Sequence, residues 1–352
     1  MSQQQFENKH EVTQVNWEIL ESYLRSKNLV ENKYPLQIEQ FSAGYSNLTY
    51  LIRIGDWKAV LRRPPFGPIP PKAHDMKREF DILSKLNRFF SLAPKPFLYC
   101  DDPVIMDRHF YVMEKKDGVV IDDSLPMEYV ENPRTGELVS TAVIDTLLQL
   151  HSVDYKEAGL EMIGYPNGYL TRQIHGWIKR YQNCKTEDIA GVETLEKWLI
   201  NHIPTSPDPT IVHNDFKLNN MMFSPQNPSE IVGLFDWELS TIGDPLTDLA
   251  VMLAYWKEEG EADTGLTSVT TGLGFASRKE MLERYAKKSR RDVGQIDFYL
   301  SFAFYKIAVI LQQIYYRWKI GEAKDERFSK LSEGIENLMK QAMKAQRQEI
   351  LL

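Results

Sequence analysis

The sequence predicts an α+β fold in two parts, and three observations lead there. Short segments with alternating apolar residues run from about Leu36 to Glu114. From about Asp117 the apolar period changes from two to 3.6 and long helical stripes take over. Within the stripes, residues 210–248 return to short apolar runs whose ends carry Asp and Asn. The boundary this implies gives a first part over 1–116 and a mainly helical second part over 117–352.

Taken in order, residues 1 to 14 read as loosely ordered. Trp17 to Lys27 is a helix with Leu20, Tyr23 and Leu24 on one face. Leu36 to Phe41 is a strand. Leu48, Tyr50, Ile52 and Ile54 alternate and make a second, and after a Gly55-Asp56 turn Trp57 to Arg62 makes a third. Between the first two lies Ser42-Ala43-Gly44-Tyr45-Ser46-Asn47. Glycine with small polar residues there suits a phosphate-covering loop or an ordinary hairpin turn, and Ser46 and Asn47 are the candidate phosphate contacts. Pro64 to Pro71 is a stiff extended loop, read as a lid or spacer rather than a docking segment. Ala73 to Leu86 is a helix with Met76, Phe80 and Leu83 inward. Pro96 to Cys100 and Phe110 to Glu114 complete five strands.

The second part carries helical stripes at Val139 to His151, Leu170 to Tyr181 and Val192 to Ile203. His151 closes an apolar run and reads as a packed, hydrogen-bonded histidine. Asp244 suits a helix N-cap with Pro245 in the first turn, and Asp248 follows in that turn. Glu258 to Ala276 is a long loop rich in Gly, Thr and acids. Glu259, Glu261 and Asp263 there either attract a cationic acceptor or are simply solvated. Ser277-Arg278-Lys279-Glu280 is a capping box. Helices over 295–319 and 326–346 close the chain. Phe298 to Trp318 is apolar enough to raise a membrane span, but Lys306, Gln312, Gln313 and Arg317 argue for a buried helix.

Composition bounds the function. The chain has 352 residues, 43% apolar, and a formal charge of −7, which lacks the basic excess of a nucleic-acid-binding surface. Two well-separated cysteines, Cys100 and Cys184, argue against a disulfide framework and for a reducing compartment. The polar start, MSQQQFENKHEV, offers no secretory h-region, so the expectation is a cytoplasmic protein with no membrane partner.

The chemistry concentrates in 210–248. His213-Asn214-Asp215 follows an apolar run, Asn220 comes five residues after Asp215, and the strand Ile231 to Phe235 delivers Asp236. Phosphoryl transfer wants this set: one carboxylate to take the attacking hydroxyl's proton, and a carboxylate with an amide oxygen to hold a metal on the triphosphate. The Asp215-to-Asn220 spacing is that of the kinase catalytic loop. The plainer alternative is turn-forming Asp and Asn in a hairpin.

HNDFKLNN followed by GLFDWELSTIGDPLTDLA resembles the aminoglycoside phosphotransferase and choline-kinase superfamily, nearest to proteins related to the kinase-like domain fused to some acyl-CoA dehydrogenases. The resemblance implies a protein-kinase-like bilobal fold, with a five-stranded antiparallel N-lobe and a mainly helical C-lobe, together with ATP and Mg²⁺. It makes Asp215 the catalytic base, Asn220 and Asp236 the Mg²⁺ ligands, and Asp248 a buried acid supporting the catalytic loop. Asn214 departs from the glycine that many members carry. The resemblance places Arg62 where protein kinases have a lysine, with Glu79 as its partner, and makes FYVMEKKDG a hinge. Met113 then gates the adenine pocket, and the carbonyl of Glu114 and N–H of Lys116 meet the adenine edge. The expected activity is small-molecule hydroxyl phosphorylation. A non-catalytic nucleotide-binding regulator is the rival, against which the complete Asp-Asn-Asp set speaks.

Overall fold

A computed structural model of the chain describes residues 15–31, 33–41, 47–66, 74–272 and 274–351. They form two compact units, one of 1–84 with 94–115 and one of 85–93 with 116–352. Residues 85–93 and Lys116, assigned to the first part from sequence, cluster with the second unit. Phe90 meets the ring of Trp237 edge-on at 5.8 Å, and the Leu92 carbonyl accepts from the Leu234 N–H at 2.9 Å.

The first unit opens with α1 (Trp17–Ser26), capped by the Asn16 side chain. Strands β1 (Gln37–Gln40), β2 (Leu48–Ile54) and β3 (Trp57–Arg63) follow, then helix α2 (Met76–Leu86), then β4 (Pro96–Cys100) and β5 (Phe110–Glu114). The five strands make one antiparallel sheet in the order β1-β2-β3-β5-β4. The period-two apolar pattern explains the core: Tyr50, Ile52 and Ile54 from β2 and Ala59 and Leu61 from β3 point to one face and close on Leu20 and Leu24 of α1. Ala73 and the proline-rich residues from 67 lie outside the described residues.

The second unit begins with a strand that periodicity did not foresee, β6 (Val119–Val120), which pairs antiparallel with Met222 and Phe223 further along the chain. Gly118 precedes it because a Cβ there would collide with the Phe223 carbonyl. Helices α3 (Met127–Val130), α4 (Thr135–His151), α5 (Tyr169–Cys184) and α6 (Val192–Asn201) come next. Then β7 (Thr210–Val212), β8 (Met221–Ser224), β9 (Asn227–Leu234) and β10 (Thr241–Gly243) run in quick succession. β8 and β9 form a hairpin, and β10 pairs antiparallel with β7. The chain ends in α7 (Pro245–Tyr255), α8 (Arg278–Ser289), α9 (Ile296–Lys319) and α10 (Leu331–Gln346). The stretch expected as one helix over 326–346 is a 3-10 turn through Lys330 followed by α10.

The apolar α9 is the centre of this unit. It packs on α10, α7 and α5, and 83% of its most apolar window is buried inside the protein. That burial answers the membrane question for this helix: its apolar surface is covered by neighbouring helices. Asp244 caps α7 by accepting from the Leu246 N–H at 2.9 Å, and the Ser277–Glu280 capping box opens α8. Cys100 and Cys184 are both free and buried.

Candidate active site

The second unit assembles the residues singled out from 210–248. Antiparallel pairing of β7 with β10 sets Thr241 opposite Val212, so the chain leaving β7 at His213 lies beside the chain entering β10 at Ser240, and β10 then runs straight into α7. The first turn of α7 thereby brings the fully buried Asp248 under the loop. Its carboxylate accepts from the backbone N–H of His213 at 2.5 Å and of Asn214 at 2.7 Å. Burial works against the charge of Asp248, but the interactions with His151 and His213 prevail and hold its pKa below the ordinary value.

The β8–β9 hairpin brings the remaining pieces. Met221 pairs with Leu234, and one step further the Phe235 N–H donates to the Asn220 carbonyl at 2.9 Å. Asn220 and Asp236 therefore stand at the same end of one hairpin. The Asn220 amide nitrogen donates to the Asp215 carboxylate at 2.9 Å and to the Asp215 carbonyl at 2.8 Å. With both N–H groups so engaged, the amide oxygen is the atom left to serve as a ligand. Asp236 adopts the left-handed backbone region at φ +71, which Asp tolerates better than most residues.

His213 braces the two halves. Its Nε2 lies 2.9 Å from the Phe235 carbonyl, and its Nδ1 accepts from the Asp215 N–H at 3.3 Å. One partner is an acceptor and the other a donor, so the ring is the neutral Nε2–H tautomer. Burial lowers its pKa and reinforces that state. Trp237, buried against the ring at 4.7 Å, fixes its plane.

Sequence reasoning missed Lys217. Its ammonium sits 3.1 Å from the Asp215 carboxylate and 5.2 Å from the centre of the Tyr255 ring. Burial opposes its charge, but Tyr255, Asp215 and Asp236 outweigh it and raise its pKa. The available signal was a cation two residues past the candidate base. His151, read as a packed histidine, is buried between the Tyr285 hydroxyl at 2.9 Å and Asp248 at 3.5 Å.

In the first unit, Arg62 and Glu79 form an ion pair at 2.9 Å, 11% and 1% exposed. The Tyr111 hydroxyl lies beside both, its pKa raised first by burial and then by Glu79. Arg63 points to the opposite face, where it pairs with Asp107 at 2.9 Å. Asn47 is buried with its amide oxygen 2.7 Å from His74 Nδ1, while Ser46 lies outside the described residues. Met113 is buried on β5, and Glu114 accepts from the Lys95 N–H at 3.0 Å through its side chain. Lys116 Nζ donates to the Ser91 carbonyl at 3.0 Å within the second unit.

Of the three loop acids, Glu259 and Asp263 are exposed, as the solvated reading expects, while Glu261 departs from both expectations. Glu261 makes an ion pair with the guanidinium of Arg278, a side chain buried under the loop, and Glu258 accepts from the Arg278 N–H at 2.8 Å. Among the described residues no three of His, Cys, Asp and Glu group closely enough to hold a metal by themselves. A carboxylate with an amide oxygen matches instead a hard cation that takes its remaining ligands from phosphate and water.

The profile of the phosphotransferase enzyme family matches residues 37–280. The chain belongs to that family. This phosphotransferase-family chain is 34% identical over 332 residues to acyl-CoA dehydrogenase family member 10 of Mus musculus, covering 91% of itself but 30% of that protein. It thus spans about a third of the length of that relative. A crystal structure from Ralstonia eutropha JMP134, provisionally described as an aminoglycoside phosphotransferase, superposes with a TM-score of 0.78 at 29% identity, covering 94% of this chain and 99% of that one. Choline kinase from Cryptosporidium parvum Iowa II shares the fold at a TM-score of 0.63 and 14% identity, over 95% of this chain and 96% of its own. The fold is therefore the protein-kinase-like α+β fold of this family.

Proposed function

We propose that this chain is an ATP- and Mg²⁺-dependent phosphotransferase acting on a hydroxyl group of a small molecule. The observation that carries the reading is the Asn220 amide, which donates to Asp215 while its backbone joins Phe235, the residue before Asp236. A general base and two oxygen ligands are thereby held in one rigid piece.

The Asp215 carboxylate orients the acceptor hydroxyl and takes its proton as the new O–P bond forms and the bond to the ADP leaving group breaks. Lys217, held beside Asp215, supplies positive charge where charge shifts during transfer. The Asn220 amide oxygen and the Asp236 carboxylate are hard donors that fit Mg²⁺, whose contribution when bound is to neutralise phosphate charge. In the first unit, Arg62, oriented by Glu79, is assigned to the nucleotide phosphates. Asn47, Met113, Glu114 and Lys116 are assigned to nucleotide contacts on the strength of the family resemblance alone.

The acceptor we favour is a hydroxyacyl compound or another metabolic alcohol. Glu261 is held by Arg278 and so is withdrawn from the acidic surface a polycation needs. The free, buried cysteines fit a reducing cytoplasm. The test is ADP production from ATP across amino alcohols, sugars, hydroxyacyl thioesters and aminoglycosides, with Asp215→Asn as control. Acceptor-dependent ADP that vanishes in the variant is expected. MgATP binding without acceptor-dependent ADP from any class would overturn catalysis in favour of a nucleotide-binding regulator.

A further inference from the structure

Of the buried cations that the proposed chemistry does not use, Arg63 and Arg278 pair with carboxylates, and Lys306 is held differently. Lys306, in the middle of α9, is 6% exposed, and its ammonium donates to the Asn214 carbonyl at 2.9 Å and lies 5.7 Å from the centre of the Trp177 ring. Among the described residues no carboxylate lies within ion-pair distance of it. Burying an ammonium against a neutral carbonyl is costly, and the burial lowers its pKa against the pull of Asp215 and Asp248.

Asn214 itself is held on every polar atom. Its N–H goes to Asp248, its amide oxygen accepts from the Tyr169 hydroxyl at 2.8 Å, and its amide nitrogen donates to the Leu239 carbonyl at 2.9 Å. Tyr169 reaches it because Gly243 has no side chain: a Cβ there would lie 2.8 Å from the Tyr169 ring. The backbone of Asn214 is left-handed at φ +68, a region that disfavours most side chains. Two unfavourable choices, a desolvated amine and a left-handed residue, thus meet at the peptide that leads into Asp215. That peptide is planar, so fixing the Asn214 carbonyl fixes the Asp215 N–H and with it the origin of the Asp215 side chain.

We propose that Lys306 is a positioning residue for Asp215: it grips the Asn214 carbonyl, while Tyr169 and the Leu239 carbonyl hold the Asn214 amide. The proposal rests on the assignment of Asp215 as the base. A structural lysine and a positioning lysine differ in what their removal does. Lys306→Met keeps the stem and removes the charge, and replacing a buried ion by an apolar side chain of similar size is commonly neutral or stabilising for folding. Stability and turnover therefore separate.

The experiment uses the full chain with MgATP and water as the acceptor, read as ADP release, alongside thermal melting and amide exchange over 211–217. In Lys306→Met, kcat falls by roughly 10-fold to 100-fold with the KM for ATP within about twofold. Exchange at Asn214 to Phe216 speeds by about 10-fold or more, and the melting temperature does not fall. Tyr169→Phe gives a smaller loss in the same direction that is not additive with Lys306→Met. Wild-type kcat and exchange in Lys306→Met overturn the proposal, as does a loss of rate matched by a loss of folded protein. If Lys306→Met does not fold, unchanged kcat and exchange in Tyr169→Phe overturn it instead. If basal ADP release is too slow to follow, the exchange rates decide. Asp215→Asn, run in parallel, keeps two failures apart: a wild-type rate there sinks the base assignment itself.

Discussion

Replacing Asp248 by asparagine keeps the shape of the side chain and changes what it offers. The native carboxylate accepts from the N–H groups of His213 and Asn214 at 2.5 and 2.7 Å. Asparagine brings one acceptor and one donor, so one buried N–H loses its partner and faces another N–H. An orphaned buried donor costs about 1–3 kcal/mol, and the loss of ionic character in the surviving bond adds about 1 kcal/mol. The expected loss, roughly 2–4 kcal/mol, is a large share of the roughly 5–15 kcal/mol that holds a typical domain folded. At about 2–4 °C per kcal/mol, the melting temperature falls by on the order of 8 °C. Calorimetry at neutral pH reads it, and a shift within about 2 °C refutes the reasoning. The acid limb gives an independent check. A pKa depressed in the folded state adds stability that is complete above the ordinary value of 3.8 and is lost as pH falls through the lower folded value. The gap between wild type and variant therefore narrows below about pH 4 and is steady above it.

Other outcomes follow from the same geometry. Asp215→Asn lowers kcat by about 10²-fold to 10⁴-fold while calorimetric MgATP affinity stays within about threefold; unchanged turnover removes Asp215 from the role of base. Asp236→Ala weakens Mg²⁺-dependent ATP binding by about 10-fold or more, and normal affinity by titration calorimetry contradicts its metal role. Glu79→Ala deprives the 11% exposed Arg62 of its acid and costs about 3–5 kcal/mol in urea unfolding; an unaltered midpoint shows that the pair is idle in folding. Glu261→Ala removes one of the two acids through which the loop holds Arg278, so limited proteolysis around residue 261 speeds, and a wild-type cleavage rate there speaks against the anchor.

What the sequence disclosed and what it hid follow from range. β4 and β5 were legible to the residue because a short apolar run bounded by charged residues is a local signal. The Asp244 cap and the Ser277–Glu280 box were legible for the same reason. β10 was not: three residues cannot display a period, and its strand character comes only from β7, some thirty positions earlier. Likewise β6 exists because β8 lies beside it. At the site, Asp215, Asn220 and Asp236 announced themselves through spacing. Lys306 did not, since ninety-odd residues separate it from Asn214 and it read merely as a polar break in an apolar helix. Asn214 read as a missing glycine, and the structure gives the reason it is tolerated: asparagine can enter the left-handed region, and here its amide finds two partners.

The hydrogen bond from Asn220 to Asp215 has one more consequence. On the roles proposed above, a single amide couples the proton acceptor to the cation ligands, so neither can drift without disturbing the other. Changing Asn220 to aspartate would delete the donor and set two anions against each other, whatever it did for metal affinity. On the proposed assignment, descendants of this chain that abandon chemistry are expected to shed ion binding at the same stroke, and redesign aimed at a different cation must begin by rebuilding the support for Asp215.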